Sequence, residues 1–299
     1  MSNDFILSCE STVDVPYSYM EERNIPVLFY SYTIDDNTYV DDMCRDPKAL
    51  PHFYEMLKDG KLPTTSQINT YKYVDFFEEL LKQGKDIFHI AFGSGMTNSV
   101  ANAYTAVEIL KEKYPNQKII VIDSLCSSSG YGLLVDAAFE KKQEGLTIAQ
   151  LEEWVLDKRH HIHHQFFATD LKYFRRGGRV SGSMATIGTI LSICPIMRLD
   201  SKGKIIAYDK VRGKKNAIQK TISEMMRTIS DGAEYSGKCF LSYSNCLDMA
   251  NETKAEIEKV FPKIDGGVKM FDIGTIIASH TGPGTVAVFY FGETVEDPV

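Results

Sequence analysis

No apolar run in this chain approaches the ~20 residues that a membrane-crossing helix requires. The opening stretch, MSNDFILSCE, has neither a basic segment nor a long apolar core, so no signal peptide is expected. The six cysteines (9, 44, 126, 194, 239 and 246) include no C-x-x-C pair, which suits reduced thiols better than disulfides or zinc. Positive charge is the scarcer sign. The 33 Lys and Arg against 40 Asp and Glu leave a net charge of −7, which counts against a nucleic-acid partner. A local basic patch and transient membrane contact stay open. The chain has no G-x-x-x-x-G-K-[ST] and so no phosphate loop of its own. It also has no G-x-S-x-G turn to strain a serine into a nucleophile. What is left is an acidic, cytoplasmic protein whose 299 residues suffice for two domains.

The first half alternates strand and helix. FILSC (5–9), IPVLFYSYTI (25–34), DIFHIAF (86–92) and KIIVIDS (118–124) read as strands. DPKALPHFYEMLKDG (46–60), the stretch after TTSQIN, SVANAYTAVEILKEKY (99–114) and the residues after LCSSSG read as helices. This order implies βαβ units and a parallel sheet, with ligands at the carboxyl ends of the strands. Three loops rich in Ser and Thr fall at those ends. Thr147 with Gln150 forms a capping box, and a helix is expected to run from there through HHIHH (160–164).

Past that point the texture changes. SMATIGTILSI (183–193) reads as a small-residue apolar helix, and PIMRLDSKGKIIAYDKV (195–211) as two antiparallel strands around a turn. The expected fold is α/β with two domains. A Rossmann-like parallel-sheet domain spans 1–165, and an α/β domain with a mixed or antiparallel sheet spans 166–299. Segment 62–83 is open to packing with the second domain.

The stretch HIAFGSGMTNS (89–99) poses the functional question. A serine nucleophile at Ser94 needs a base and an acid to orient it; His89 points along its strand, and His280 has no evident acid partner. A cradle asks for less. A loop feeding a helix N-terminus offers free N–H groups and a favourable dipole to a carboxylate or phosphate, although Ser and Thr there also serve as ordinary caps. HHIHH invites a metal reading, since His160 and His164 would lie one helical turn apart. No third ligand is evident, and Lys158 and Arg159 repel a cation, so no metal is expected.

Several motifs, in order, carry a resemblance: ESTVD (10–14), TSQ (65–67), GSGMTNS (93–99), VIDSLCSSSGYG (121–132), RRGGRVS (175–181), CPIMRLD (194–200), KVRGKKNAI (210–218) and HTGPGT (280–285). The chain resembles the DegV family, whose characterised examples are fatty-acid-binding subunits of bacterial fatty acid kinase. The resemblance implies two α/β domains with one long-chain fatty acid in a tunnel between them. It places the carboxylate on Thr65, Thr97, Arg212 and His280, supported by loop residues Ser66, Ser94, Gly95, Asn98, Ser124 and Gly282. The plain readings of the same residues are a helix cap (Thr65), a solvated strand end (Arg212) and a turn partner (His280).

Met184, Ile187, Ile190, Leu191 and Ile193 are the expected tunnel wall, though a core helix would show the same pattern. Arg175, Arg176 and Arg179 form the dense basic spot. By resemblance they dock an ATP-binding kinase subunit, which would bring the ATP and Mg; this chain would carry no cofactor beyond the acid. Glu10 for Asp, Thr97 for Ser, Asn98 for Gly and Cys194 for Lys depart from the family pattern and bear on which acid is held. The alternatives are a binding protein for another amphipathic acid without a kinase partner and, ranked last, a serine hydrolase or acyltransferase using Ser94 and His280.

Overall fold

The computed structural model describes residues 4–179 and 193–297. The expected tunnel residues Met184, Ile187, Ile190 and Leu191 lie outside the described residues. Four parallel strands form the first sheet, in the order β2 (Val27–Leu28), β1 (Phe5–Glu10), β6 (Asp86–Ala91), β7 (Ile119–Asp123). All six residues of β1 are buried, the polar Ser8 and Glu10 included, as expected for an inner strand of a parallel sheet. Helix α3 (Thr70–Leu81) packs on α4 (Ser99–Lys113) and on β6. A short antiparallel sheet, β4 (Asn37–Val40), β3 (Ser31–Ile34) and β5 (Thr64–Ser66), branches from the strand-rich segment after helix α1 (Tyr17–Glu21). TTSQIN (64–69) thus begins as the strand β5. Helix α2 (Ala49–Lys58) lies between β4 and β5 in the chain.

The second sheet is six-stranded and mixed. Its order is β10 (Ile205–Arg212), β9 (Ile193–Leu199), β8 (Ile162–Ala168), β13 (Thr285–Phe291), β11 (Cys239–Tyr243), β12 (Val268–Asp272). Only β11 and β12 run parallel; the other pairs are antiparallel, including the β9–β10 hairpin read from its Ser-Lys-Gly turn. β8 belongs to this sheet over its full length, so residue 165 falls inside a strand.

The helix expected through HHIHH stops earlier. Thr147 and Gln150 do form the capping box of α6 (Ile148–Lys158), but Ile162–Ala168 is a fully buried strand. His163 and His164 therefore sit in β8, not on a helix face with His160. The apolar residues that follow them pair with β9 and β13 on both sides, and that pairing outweighs any continuation of α6.

Strand register divides this sheet into two faces. Pairing aligns Ile205, Leu199, His164 and Phe289 in one row, and Ala207, Met197, Phe166 and Ala287 in the next. The alternate residues Phe167, Ile196, Val286, Val288 and Leu241 join a separate core with α8 (Lys214–Thr228) and α9 (Leu247–Val260). The first face looks toward the N-terminal half. There α5 (Ser128–Gln143) packs against β8, β11 and β13, with its first eleven residues buried. Gly130 permits this approach, because a Cβ there would lie 2.4 Å from His164 Nε2. A charged cluster reinforces the junction: buried Asp136 of α5 accepts from Arg23 Nε at 3.0 Å and from Lys238 Nζ at 2.6 Å. Two cations and the Tyr19 hydroxyl compensate a carboxylate that would otherwise be expensive to bury.

Candidate functional site

The loops after β6 and β7 converge as βαβ topology requires, and with Tyr30 they meet β5, helix α10 (Thr275–Thr281) and the first face of the six-stranded sheet. Between them is a cavity whose empty space, counted out into open solvent, is about 900 Å³. Its walls are apolar over Phe92, Met96, Phe166, Ile276, Ala287 and Phe289. Its polar lining comes from Thr65 and Ser66 of β5, Thr97 of the loop after β6 and His280 of α10, and also from Ser127, Ser128, His164 and Thr285 on other elements; β5 and α10 meet directly.

At that point Thr65 Oγ1 lies 2.8 Å from His280 Nε2. Pairing of β5 with β3 sets Thr65, which stands opposite Tyr32. The last turn of α10 sets His280. Two buried acids hold the other end of this helix: Asp14 Oδ1 accepts from Gly274 N–H at 3.0 Å, and Asp41 Oδ1 accepts from Thr275 Oγ1 at 2.8 Å. Burial pushes the His280 pKa down to about 4, and Arg179 and Arg176 push in the same direction. The ring is therefore neutral at pH 7, and its buried Nδ1 has no partner among the described residues.

Thr97 also lines the cavity. Its hydroxyl is 3.0 Å from that of Ser99, which accepts from Ile68 N–H at 3.2 Å. Behind it stands Tyr30, whose hydroxyl donates to Glu10 Oε2 at 3.2 Å. Glu10 is fully buried and also accepts from the Tyr73 hydroxyl and from Phe92 N–H at 3.0 Å. His89 Nε2 stands 3.3 Å from Glu10 Oε1, and its Nδ1 2.9 Å from the Ser8 hydroxyl. The carboxylate thus organises the floor beneath the loop after β6, a role its sequence position alone did not reveal.

The structure brings Thr65, Ser66, Thr97, His280 and Arg179 to one cavity. The other expected residues stand elsewhere. Arg212 is exposed at the end of β10, opposite Ile193, and neither residue lines the cavity. Strand register accounts for this: a bulge between Ala207 and Asp209 precedes Arg212, which ends the strand at the sheet edge. Ser94 is exposed, and its N–H donates to Asp123 Oδ1 at 3.0 Å. It does not line the cavity, and His280 Nε2 is engaged with Thr65, so the pair a serine hydrolase needs is not formed.

Gly95 packs against the β9–β10 turn, Asn98 is exposed at the start of α4, and the Ser124 hydroxyl accepts from Cys126 N–H at 3.1 Å. Gly282, at φ +66°, lets the chain turn against Tyr173. All three arginines are exposed. Arg176 donates to Pro63 O at 2.7 Å and to Ser279 O at 3.3 Å, fastening helix α7 (Lys172–Gly177) to β5 and α10.

Sequence reasoning missed Tyr30, Ser127, Ser128, His164 and the cavity-facing residues of β13. The alternation in TVAVFYF was the available signal: Thr285, Ala287 and Phe289 face the cavity, while Val286, Val288 and Tyr290 do not. His164 is committed to the fold. It accepts from Ser127 N–H at 3.1 Å, and burial drives its pKa down to about 3. Among the described residues, no group of three or more His, Cys, Asp or Glu is placed to hold a metal ion, and no helix is long and apolar enough to cross a membrane.

Comparisons with known proteins agree with this architecture. A family model described as "Uncharacterised protein, DegV family" matches residues 7–293. A DegV domain-containing protein of Clostridium perfringens is 33% identical over 294 residues, covering 98% of this chain and 99% of its own. A solved stearic-acid-binding protein of Eubacterium ventriosum superposes with a TM-score of 0.86 at 21% identity, over 97% of this chain and 99% of that one. A fatty-acid-binding DegV family protein of Streptococcus agalactiae gives 0.83 at 26% identity, over 97% and 99%. With the parallel and mixed sheets in the expected order, and a match running almost from end to end, the chain belongs to the DegV family.

Proposed function

We propose that this protein binds one long-chain fatty acid and presents its carboxylate to a separate ATP-dependent kinase subunit for acyl-phosphate formation. The observation that carries the reading is an apolar cavity lined also by the Thr65–His280 pair and by Thr97. Relatives of the same fold that are described as binding fatty acids add support. Thr65 and Thr97 donate hydroxyl hydrogen bonds to the carboxylate, and Arg179 contributes positive charge at the rim. A bound carboxylate raises the affinity of His280 for a proton and so reverses the direction set in the empty cavity. Arg212 stands outside this direct set.

The acyl chain lies along Phe166, Ala287 and Phe289. At ~0.8 kcal/mol per buried CH₂, it gains on the order of 10 kcal/mol before ordering terms. The protein supplies orientation, and the partner supplies ATP and Mg. Arg175 and Arg179, on the exposed side of α7 and just beyond it, are the proposed docking charges in a cytoplasmic encounter.

Native mass spectrometry of freshly purified protein, with solvent extraction of the ligand, tests the binding step. One stoichiometric fatty acid is expected, and retention should fall at least tenfold in Thr65→Val combined with Thr97→Val. A protein that stays empty after incubation with several fatty acids refutes the reading. Addition of a fatty acid kinase subunit with ATP then tests transfer. Bound acid that is never phosphorylated leaves a binding protein without that partner.

A further inference from the structure

A buried hydroxyl on the cavity wall has nothing to bond. Thr285 is 2% exposed, and its Oγ1 has no hydrogen-bond partner among the described residues. Its place in β13 determines where it faces. Thr285, Ala287 and Phe289 alternate onto the cavity side, while Val286 and Val288 join the core under α8 and α9. The neighbouring hydroxyls are already committed. Ser128 Oγ donates to Asp14 Oδ2 at 2.5 Å and sits 3.0 Å from Ser242 Oγ, and Thr281 Oγ1 donates to Ile277 O at 3.2 Å. The other unpartnered buried polar atom on the lining, His280 Nδ1, belongs to the carboxylate end. Thr285 thus leaves an unmet hydrogen-bond requirement beside Ala287 and Phe289, where an acyl chain runs. Natural interiors rarely tolerate such a group without a partner.

We infer that Thr285 is a specificity residue that pairs with an oxygen substituent on the bound chain, so that the preferred ligand is a hydroxylated long-chain acid. This rests on the proposed fatty-acid reading. An unsubstituted chain leaves Oγ1 desolvated and unpaired, whereas a hydroxyl at the matching carbon both accepts from it and satisfies its own polarity.

The test compares the affinity of stearate with a series of monohydroxystearates differing in hydroxyl position, for the purified, delipidated protein. One isomer is expected to bind about three- to tenfold more tightly than stearate, the worth of one neutral hydrogen bond. Thr285→Val should bring that ratio to one or below, and Thr285→Ser, which keeps the hydroxyl, should retain it. If stearate binds and no isomer exceeds it, an internal water satisfies Thr285 and the inference falls while the fatty-acid reading stands. If the ratio survives in Thr285→Val, another group reads the hydroxyl and the assignment is overturned. If neither stearate nor any isomer binds, the fatty-acid reading fails and takes the inference with it.

Discussion

Replacing Asp41 by Asn should stabilise this protein at neutral pH and leave its stability almost unchanged in acid. Asp41 is 1% exposed; one carboxylate oxygen accepts from Thr275, and the other, buried, has no partner among the described residues. Desolvation raises its pKa to about 6, although hydrogen bonds from Ser11 and Thr275 pull the other way. A carboxyl raised in the folded state keeps its proton where the unfolded chain has lost it. Its contribution is full below the ordinary carboxylate pKa and is lost as pH rises through about 6. The gap is worth at most about 3 kcal/mol. Asn keeps an acceptor for Thr275 and removes the charge. The variant should therefore exceed the wild type by up to about 3 kcal/mol at pH 7, roughly 5 °C in Tm, and converge with it near pH 4. Removing this charge also relieves Asp14, whose carboxyl burial pushes up and Asp41 pushes further, so its effect has the same sign. His164 and His280, both held below the ordinary imidazole value, oppose the trend with pH but are common to the two proteins. Urea unfolding between pH 4 and 8 gives the difference directly. A difference that stays constant with pH would refute a buried, proton-holding Asp41.

Tyr73→Phe removes one donor to the buried Glu10 and should destabilise by about 1–3 kcal/mol, read from the urea midpoint. The same change in Glu10→Gln should be smaller, because the carboxyl that takes this hydrogen bond is gone. Gly95→Ala would place a Cβ 2.1 Å from Gly203 O, so the loop after β6 and the β9–β10 turn must separate. A loss of about 1–3 kcal/mol is expected, with faster amide exchange confined to residues 94–98 and 200–204.

The fold was readable wherever pattern follows from local physics. Parallel strands such as β1 and β7 show as mainly apolar runs, Thr147 with Gln150 marks the start of α6, and Ser-Lys-Gly marks a hairpin. The end of α6 was not readable, because Lys158-Arg159 and HHIHH look like a basic helix terminus. Only long-range pairing with β9 and β13 makes His163 and His164 part of a strand. The site shows the same division. Thr65, Thr97 and His280 came from motifs, and the structure brings them to one cavity. Arg179 had been read as a docking charge and also lines the cavity, since the end of α7 folds back toward α10. Glu10 had been noted only as a departure from pattern. Its importance depends on Tyr30, Tyr73 and Phe92, which are distant in sequence.

These observations converge on α10, seven residues long and too short to be stable by its own hydrogen bonds. Tertiary contacts must hold it. At its first turn stand Asp14 and Asp41, contributed by the N-terminal half, and at its last turn His280 meets Thr65, also from that half. Arg176 of α7 bonds Ser279 O between them. Each contact joins segments more than 100 residues apart, so the Thr65–His280 end of the cavity forms only when the two halves are packed together. The groups at the two ends of this helix respond oppositely to acid. Asp41 is stabilising when protonated, whereas protonating the buried His280 opposes its desolvation. A bound carboxylate shifts that second balance by pairing with the imidazolium, so acid should tighten α10 more in the loaded protein than in the empty one.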